Sequence, residues 1–259
     1  MKTKEIADYI SNWLTEYSYK SNTDGYVIGI SGGIDSALTS TLCAKTGKSI
    51  CCLLMPIHQN TEELARSIAH VEWLQKKFPN VTVECLDLSE TFDVLSRLLP
   101  ENVSNQLTLA NVRARLRMTN LYAFAGAKNM LVAGTGNKIE DFGVGFFTKY
   151  GDGGVDLSPI ADLSKSEVFD LSKYLNIIKE IQEAEPTDGL WEDGRNDEDQ
   201  LGATYIELEW AMQQHQISNK NTFDLRQKEI FDIYKTHHDA NLHKMLPIPV
   251  CEIPFSLKK

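Results

Sequence analysis

The residues best suited to chemistry in this chain lie in GISGGIDSAL, residues 29–38. There Gly29, Ile30, Ser31, Gly32, Gly33, Ile34, Asp35 and Ser36 follow an apolar run and open a helical pattern. Glycines at 32 and 33 allow unusual φ and close approach of a ligand, and the helix start aims free N–H groups at the same point. Ser31 and Ser36 add hydroxyl donors, and the whole reads as an anion cradle. Asp35 opposes a bare anion but becomes useful when a divalent cation stands between it and phosphate oxygens. The bland alternative is a tight strand-to-helix turn with no ligand.

Three loop types compete for these letters. A Walker A loop requires a lysine that is absent here, and the dinucleotide fingerprint GxGxxG is matched neither here nor at GTGNKI from 134. Gly29, Ser31 and Gly33 do satisfy GxSxG, which keeps a serine hydrolase open. That elbow normally follows several strands, whereas this loop follows the first, and no HGGG-like segment precedes it.

Four apolar runs, YVIGI at 26–30, SICCLLM at 49–55, VTVECL at 81–86 and NMLVAG at 129–134, must position this loop. They alternate with helical patterns near 35–46, 61–77, 89–98 and 106–127. That rhythm predicts an α/β fold, doubly wound, with a mainly parallel sheet and helices on both faces. Asn60 with Glu63, and Ser164 with Glu167, suit capping boxes. A stretch of about 25 irregular residues after 134 is long enough to be functional. A second stretch, 185–199, carries seven acidic residues and reads as a mobile lid or a solvated linker. Helices are expected at 197–213 and 222–237, before a Pro-rich tail.

Composition sets the outer bounds. The 259 residues are 42% hydrophobic and 24% charged, which excludes collagen-like and disordered classes and allows a sizeable core. A formal charge of −10 argues against a nucleic-acid or anionic membrane partner. No signal-peptide core or bilayer-length run is present, and five cysteines without a CxxC pair fit buried, reduced thiols. A cytoplasmic location is therefore expected.

The SGGIDS string resembles the pyrophosphate-binding loop of the PP-loop ATP pyrophosphatases, which activate a carboxylate or carbonyl by adenylation. On that string alone the substrate is open among GMP, asparagine and argininosuccinate synthetases and tRNA-modifying enzymes. NVRARLRM at 111–118, GTGNKIED at 134–141, GFFTKYGDGGVDLSPIADLSK at 145–165, EPTDGL at 185–190 and HK at 243–244 together resemble NAD synthetase, in order and over nearly the whole chain. The resemblance implies an adenine nucleotide α-hydrolase-like fold. It also implies ATP-dependent amidation of deamido-NAD by ammonia through an adenylated intermediate, releasing AMP and pyrophosphate. A single synthetase domain over 1–259 leaves no room for a glutaminase, so ammonia is the expected nitrogen donor. A homodimer is implied as well.

The residues can be weighed beside that resemblance. Arg113 and Arg117 share one helical face while Arg115 points nearly opposite, with Asn111, Thr108 and Thr119. Arg115, Lys149, Asp156, His243 and Lys244 match positions that hold deamido-NAD. Thr135, Lys165 and Thr187 match ATP contacts, and Asp35 with Glu140 matches the Mg²⁺ carboxylates, two hard oxygen ligands that suit magnesium. Lys165 would offset charge growing at phosphorus, and Asp152 resembles the carboxylate that holds ammonium and accepts its proton. Without the family, Asp152 is simply a turn residue. Met245 stands where many relatives carry arginine, and GTGNKIED departs from the GTDHAAE form. A non-catalytic nucleotide-binding scaffold is the other reading left open.

Overall fold

In the computed structural model, residues 1–184, 197–217 and 223–258 are described. An amphipathic helix α1 (Thr3–Lys20) precedes the alternation β1 (Gly25–Gly29), α2 (Ile34–Ala44), β2 (Ser49–Leu54), α3 (Thr61–Lys77), β3 (Val81–Cys85), α4 (Ser89–Leu98), α5 (Gln106–Lys128) and β4 (Met130–Val132). After one π-helical turn at Ile139–Val144 come α6 (Lys165–Tyr174), α7 (Lys179–Gln182), α8 (Asp197–Leu201), α9 (Tyr205–Gln216) and α10 (Leu225–Met245).

The strands pair in the order β3-β2-β1-β4, all parallel, with Val27 opposite Cys51 on one side and Val132 on the other. Side chains alternate across a strand, so each strand feeds two cores. Tyr26, Ile28, Ile50 and Cys52 enter a cluster with Leu14 of α1, Leu38 of α2, Leu74 of α3 and Leu171 of α6. Val27, Cys51 and Leu53 enter the opposite cluster with Phe92 of α4 and Ala125 of α5. The fold is thus doubly wound, as the alternating runs predict. A third cluster joins Ile139 and Val144 of the π-helical turn to Leu208 of α9 and Tyr234 of α10. Chain order reverses at β1, whose α2 connection leads to one side while β4 lies on the other. Loops after β1 and β4 therefore part and leave a crevice at the carboxyl ends of the strands.

Several expectations are corrected. Asn60 accepts from the Glu62 amide at 2.8 Å, but Glu63 gives its carboxylate to the Gln59 side chain, so α3 has no capping box. The box at Ser164 and Glu167 is present. The helix expected at 197–213 is two helices, because Gly202 takes φ +76°. The last helix continues to Met245 and ends before Pro247, which has no N–H to continue it. Cys43, Cys51 and Cys52 are buried, but Cys85 and Cys251 are exposed. No described helix is long and apolar enough to cross a membrane.

Candidate active site

The loop after β1 is shaped by its own hydroxyls. The Gly33 amide donates to Ser31 Oγ at 3.1 Å, Ser36 Oγ donates to the Gly33 carbonyl at 3.0 Å, and the two hydroxyl oxygens lie 3.1 Å apart. Gly32 takes φ +89°, and a β-carbon there would fall 2.6 Å from the Glu63 carbonyl oxygen, so only glycine fits. Gly33 caps α2, which places Asp35 in its first turn. Ile30 and Ile34 bury their side chains in the core, leaving backbone to face the crevice.

Across the crevice, the π-helical turn carries Glu140 and α6 begins with Lys165. Lys165 Nζ lies 2.6 Å from Asp35 Oδ2 and 3.1 Å from Glu140 Oε1, with the lysine only 4% exposed. The Tyr205 hydroxyl donates to the same Glu140 oxygen at 2.6 Å, and its ring lies 4.7 Å from Lys165 Nζ. Asn137, fully buried, donates to Asp35 Oδ1 at 3.2 Å and accepts from the Glu140 amide at 3.1 Å. Burial pushes the Asp35 carboxyl up against the pull of Lys165. Burial also opposes ionisation of Glu140, but the ammonium and the tyrosine hydroxyl outweigh it and hold that carboxyl down.

Two carboxylates that already share one buried cationic nitrogen can share a metal cation. Hard oxygen donors from only two side chains fit magnesium, which keeps most of its shell for water and phosphate. Asp35 and Glu140 are the residues that would hold it.

A cavity of about 240 Å³ opens beside this junction. Residues 29–36, Thr135, Glu140, Asp152 and Lys165 line it. Asp152 accepts from the Thr148 amide at 3.0 Å, and burial pushes its carboxyl up to about 6. Asp141 packs against Gly136, and burial with the neighbouring carboxylates raises it to about 8.

The expected dinucleotide contacts do not line this cavity. Arg115 is exposed, and its guanidinium donates to the Lys149 carbonyl at 3.3 and 3.4 Å. Lys149 Nζ donates to the His243 carbonyl at 2.9 Å, and Lys244 Nζ to the Phe147 carbonyl at 2.7 Å. These residues form a clasp between the end of α10 and the FFTK segment. Asp156 stands apart, accepting from the Val132 amide at 2.8 Å and the Tyr122 hydroxyl at 3.1 Å. Thr187 lies outside the described residues. Arg117, not Arg115, lines the cavity, as do Arg66, Asp141 and Met118. No motif marks Arg66 or Tyr205, which come from separate helices; Asp141 had only its place beside Glu140 as a signal.

A phosphate-type cradle after the first strand, carrying Asp35 and faced by Glu140 and Lys165 across the switch point of a parallel sheet, defines a doubly wound protein of the adenine nucleotide α-hydrolase-like class. Residues 6–247 match the family described as NAD synthase. The chain belongs to that family. It is 40% identical over 213 residues to the NH(3)-dependent NAD(+) synthetase of Carboxydothermus hydrogenoformans, covering 80% of this chain and 84% of the relative. Among solved structures, the NMN synthetase of Francisella tularensis superposes with a TM-score of 0.83 at 31% identity, covering 98% and 99% of the two chains. The NH3-dependent NAD synthetase of Campylobacter jejuni gives 0.80 at 27% identity, covering 97% and 100%.

Proposed function

We propose that the protein amidates the nicotinate carboxylate of deamido-NAD with ammonia, using ATP and releasing AMP, pyrophosphate and NAD. The observation that carries this reading is the convergence of the cradle, Asp35, Glu140, Lys165 and Asp152 on one cavity. The names of the relatives supply the substrate class and the nitrogen donor.

In this reading the cradle amides and Ser31 hold the terminal phosphates as a leaving group while the substrate carboxylate attacks the α-phosphorus. Magnesium, held by Asp35 and Glu140, would neutralise phosphate charge when bound. Lys165 acts by position and charge rather than by proton transfer: its buried charge offsets the negative charge that grows at phosphorus. In the structure that charge is bound to the two carboxylates, and the Tyr205 hydroxyl holds Glu140 beside it. Asp152 attracts ammonium and accepts its proton, because only neutral ammonia attacks the adenylate. A carboxyl at about 6 is mostly ionised at neutral pH yet basic enough to take that proton. Arg115, Lys149, Asp156, His243 and Lys244 are assigned to the dinucleotide, and Thr135 and Thr187, with Lys165, to ATP. A cytoplasmic homodimer is part of the same reading.

A second reading has nicotinic acid mononucleotide as the carboxylate donor, supported by the likeness to the Francisella NMN synthetase. One assay separates them. The protein is incubated with ATP, Mg²⁺, ammonium and either nucleotide, and AMP, pyrophosphate and amide product are measured. A higher kcat/KM for deamido-NAD supports the first reading and a higher value for the mononucleotide the second. No AMP or pyrophosphate with either would refute both.

A further inference from the structure

Helix α3 forms one wall of the cavity and touches the cradle directly. A β-carbon at Gly32 would lie 2.6 Å from the Glu63 carbonyl oxygen and 2.8 Å from Ser67 Oγ. Gln59, just ahead of the helix, ties the same junction by donating to the Ser31 carbonyl at 3.3 Å and to Glu63 at 3.2 Å. Arg66 sits between those two α3 contacts in sequence and lines the cavity with Gly32 and Gly33.

Charge in the cavity makes this position matter. Its lining holds acidic Asp35, Glu63, Glu140, Asp141 and Asp152 against basic Arg66, Arg117 and Lys165. Lys165 is bound to Asp35 and Glu140, and Arg117 Nε donates to the Met55 carbonyl at 3.1 Å. Arg66 Nε is buried and has no hydrogen-bond partner among the described residues. A guanidinium that lines an anion cradle while one of its donors is buried without a partner gains by turning toward an anion that enters the cavity.

We propose that Arg66 binds the terminal phosphates of the nucleotide, and then the departing pyrophosphate, from the α3 side of the cradle. The inference rests on the nucleotide reading above and adds a ligand contact outside the loop motif. Guanidinium presents Nε and a terminal N–H as a fork to two phosphate oxygens, which an ammonium cannot reproduce. Arg66 acts on binding and release of pyrophosphate and leaves the AMP half of the nucleotide untouched.

Titration calorimetry with inorganic pyrophosphate, and with AMP as control, tests this on the wild type, Arg66→Gln and Arg66→Lys. Arg66→Gln is expected to lose pyrophosphate affinity by about tenfold or more, keep its AMP affinity, and raise KM for ATP but not for the carboxylate substrate. Arg66→Lys keeps the charge and loses the fork, so it falls between the two. Unchanged pyrophosphate affinity, within about twofold, in Arg66→Gln with a wild-type melting temperature overturns the inference alone. Should Arg66→Gln fail to fold, the same result in Arg66→Lys decides against it. Wild-type protein that binds neither pyrophosphate nor ATP overturns the nucleotide reading as well.

Discussion

Replacing Lys165 by methionine keeps the length of the side chain and removes a positive charge that sits within 3.1 Å of both Asp35 and Glu140. Removing one partner of a buried ion pair leaves an uncompensated charge and costs about 3–5 kcal/mol. Here two carboxylates lose the same cation, so the upper part of that range applies. At about 4–5 kcal/mol, the melting temperature of a domain of this size should fall by about 8–20 °C at pH 7.5. The deficit should also depend on pH. Without the ammonium, both carboxyls titrate above their ordinary value of about 4 in the folded state, so the native chain retains protons that the unfolded chain has released. The variant is therefore closest to wild type in acid and loses ground as pH rises. Calorimetric melts between pH 5 and 8 measure this, with and without Mg²⁺, which should restore part of the loss by giving the carboxylates a cation. A drop smaller than about 2 °C, or one that is flat across pH, would refute the description of this junction as a buried, mutually dependent triad.

Three further outcomes follow from the geometry. Gly32→Ala forces a β-carbon into the Glu63 carbonyl at φ +89°, so it should cost about 1–3 kcal/mol and abolish the rise in melting temperature that ATP gives the wild type. Asp152→Asn should remove the rise in kcat/KM between pH 5 and 7, since the proposed base acts only when ionised and burial pushes its carboxyl up to about 6; a profile unchanged in shape would clear Asp152 of that role. His70 is fully buried beside Ser40 and Trp73, and burial lowers it to about 4. Its neutral form thus contributes stability that is present above about pH 6.5 and lost as pH falls toward 4, about 3 kcal/mol in all, and His70→Leu should flatten that limb of a urea-unfolding series.

The sheet and most helices were legible because each depends on a run of neighbouring residues. Tyr26, Val27 and Ile28 announce a strand buried on both faces, and the glycines and hydroxyls at 29–36 announce the turn that follows. The break at Gly202 was harder to see, since the residues on either side keep helical character and only the backbone at one position reverses sign. In the site, Asp35, Glu140 and Lys165 were readable from motif resemblance, but their mutual arrangement was not. Nothing in the spacing says that a lysine from α6 will bond two carboxylates from α2 and the π-helical turn. Tyr205 and Arg66 stayed hidden for the same reason: each reaches the cavity from a helix whose own pattern is unremarkable. Arg115 and Arg117 show the limit most directly. Helical spacing separated their faces correctly, but which face meets the cavity depends on how α5 lies on the sheet.

The clasp at the end of α10 bears on the order in which the chain can take shape. Lys149 bonds a carbonyl 94 residues ahead, and Lys244 reaches back 97 residues to Phe147. Synthesis runs from the N-terminus, and contacts this distant close large loops late. The four strands and the phosphate cradle can form before residue 243 leaves the ribosome, and Thr148 and Asp156 can already anchor to Asn111 and Val132, whereas Phe147 and Lys149 wait for the last helix. A nascent chain halted at about residue 220 would thus carry an ordered cradle beside a segment not yet fastened by α10, and protease would cut that segment first between 145 and 149.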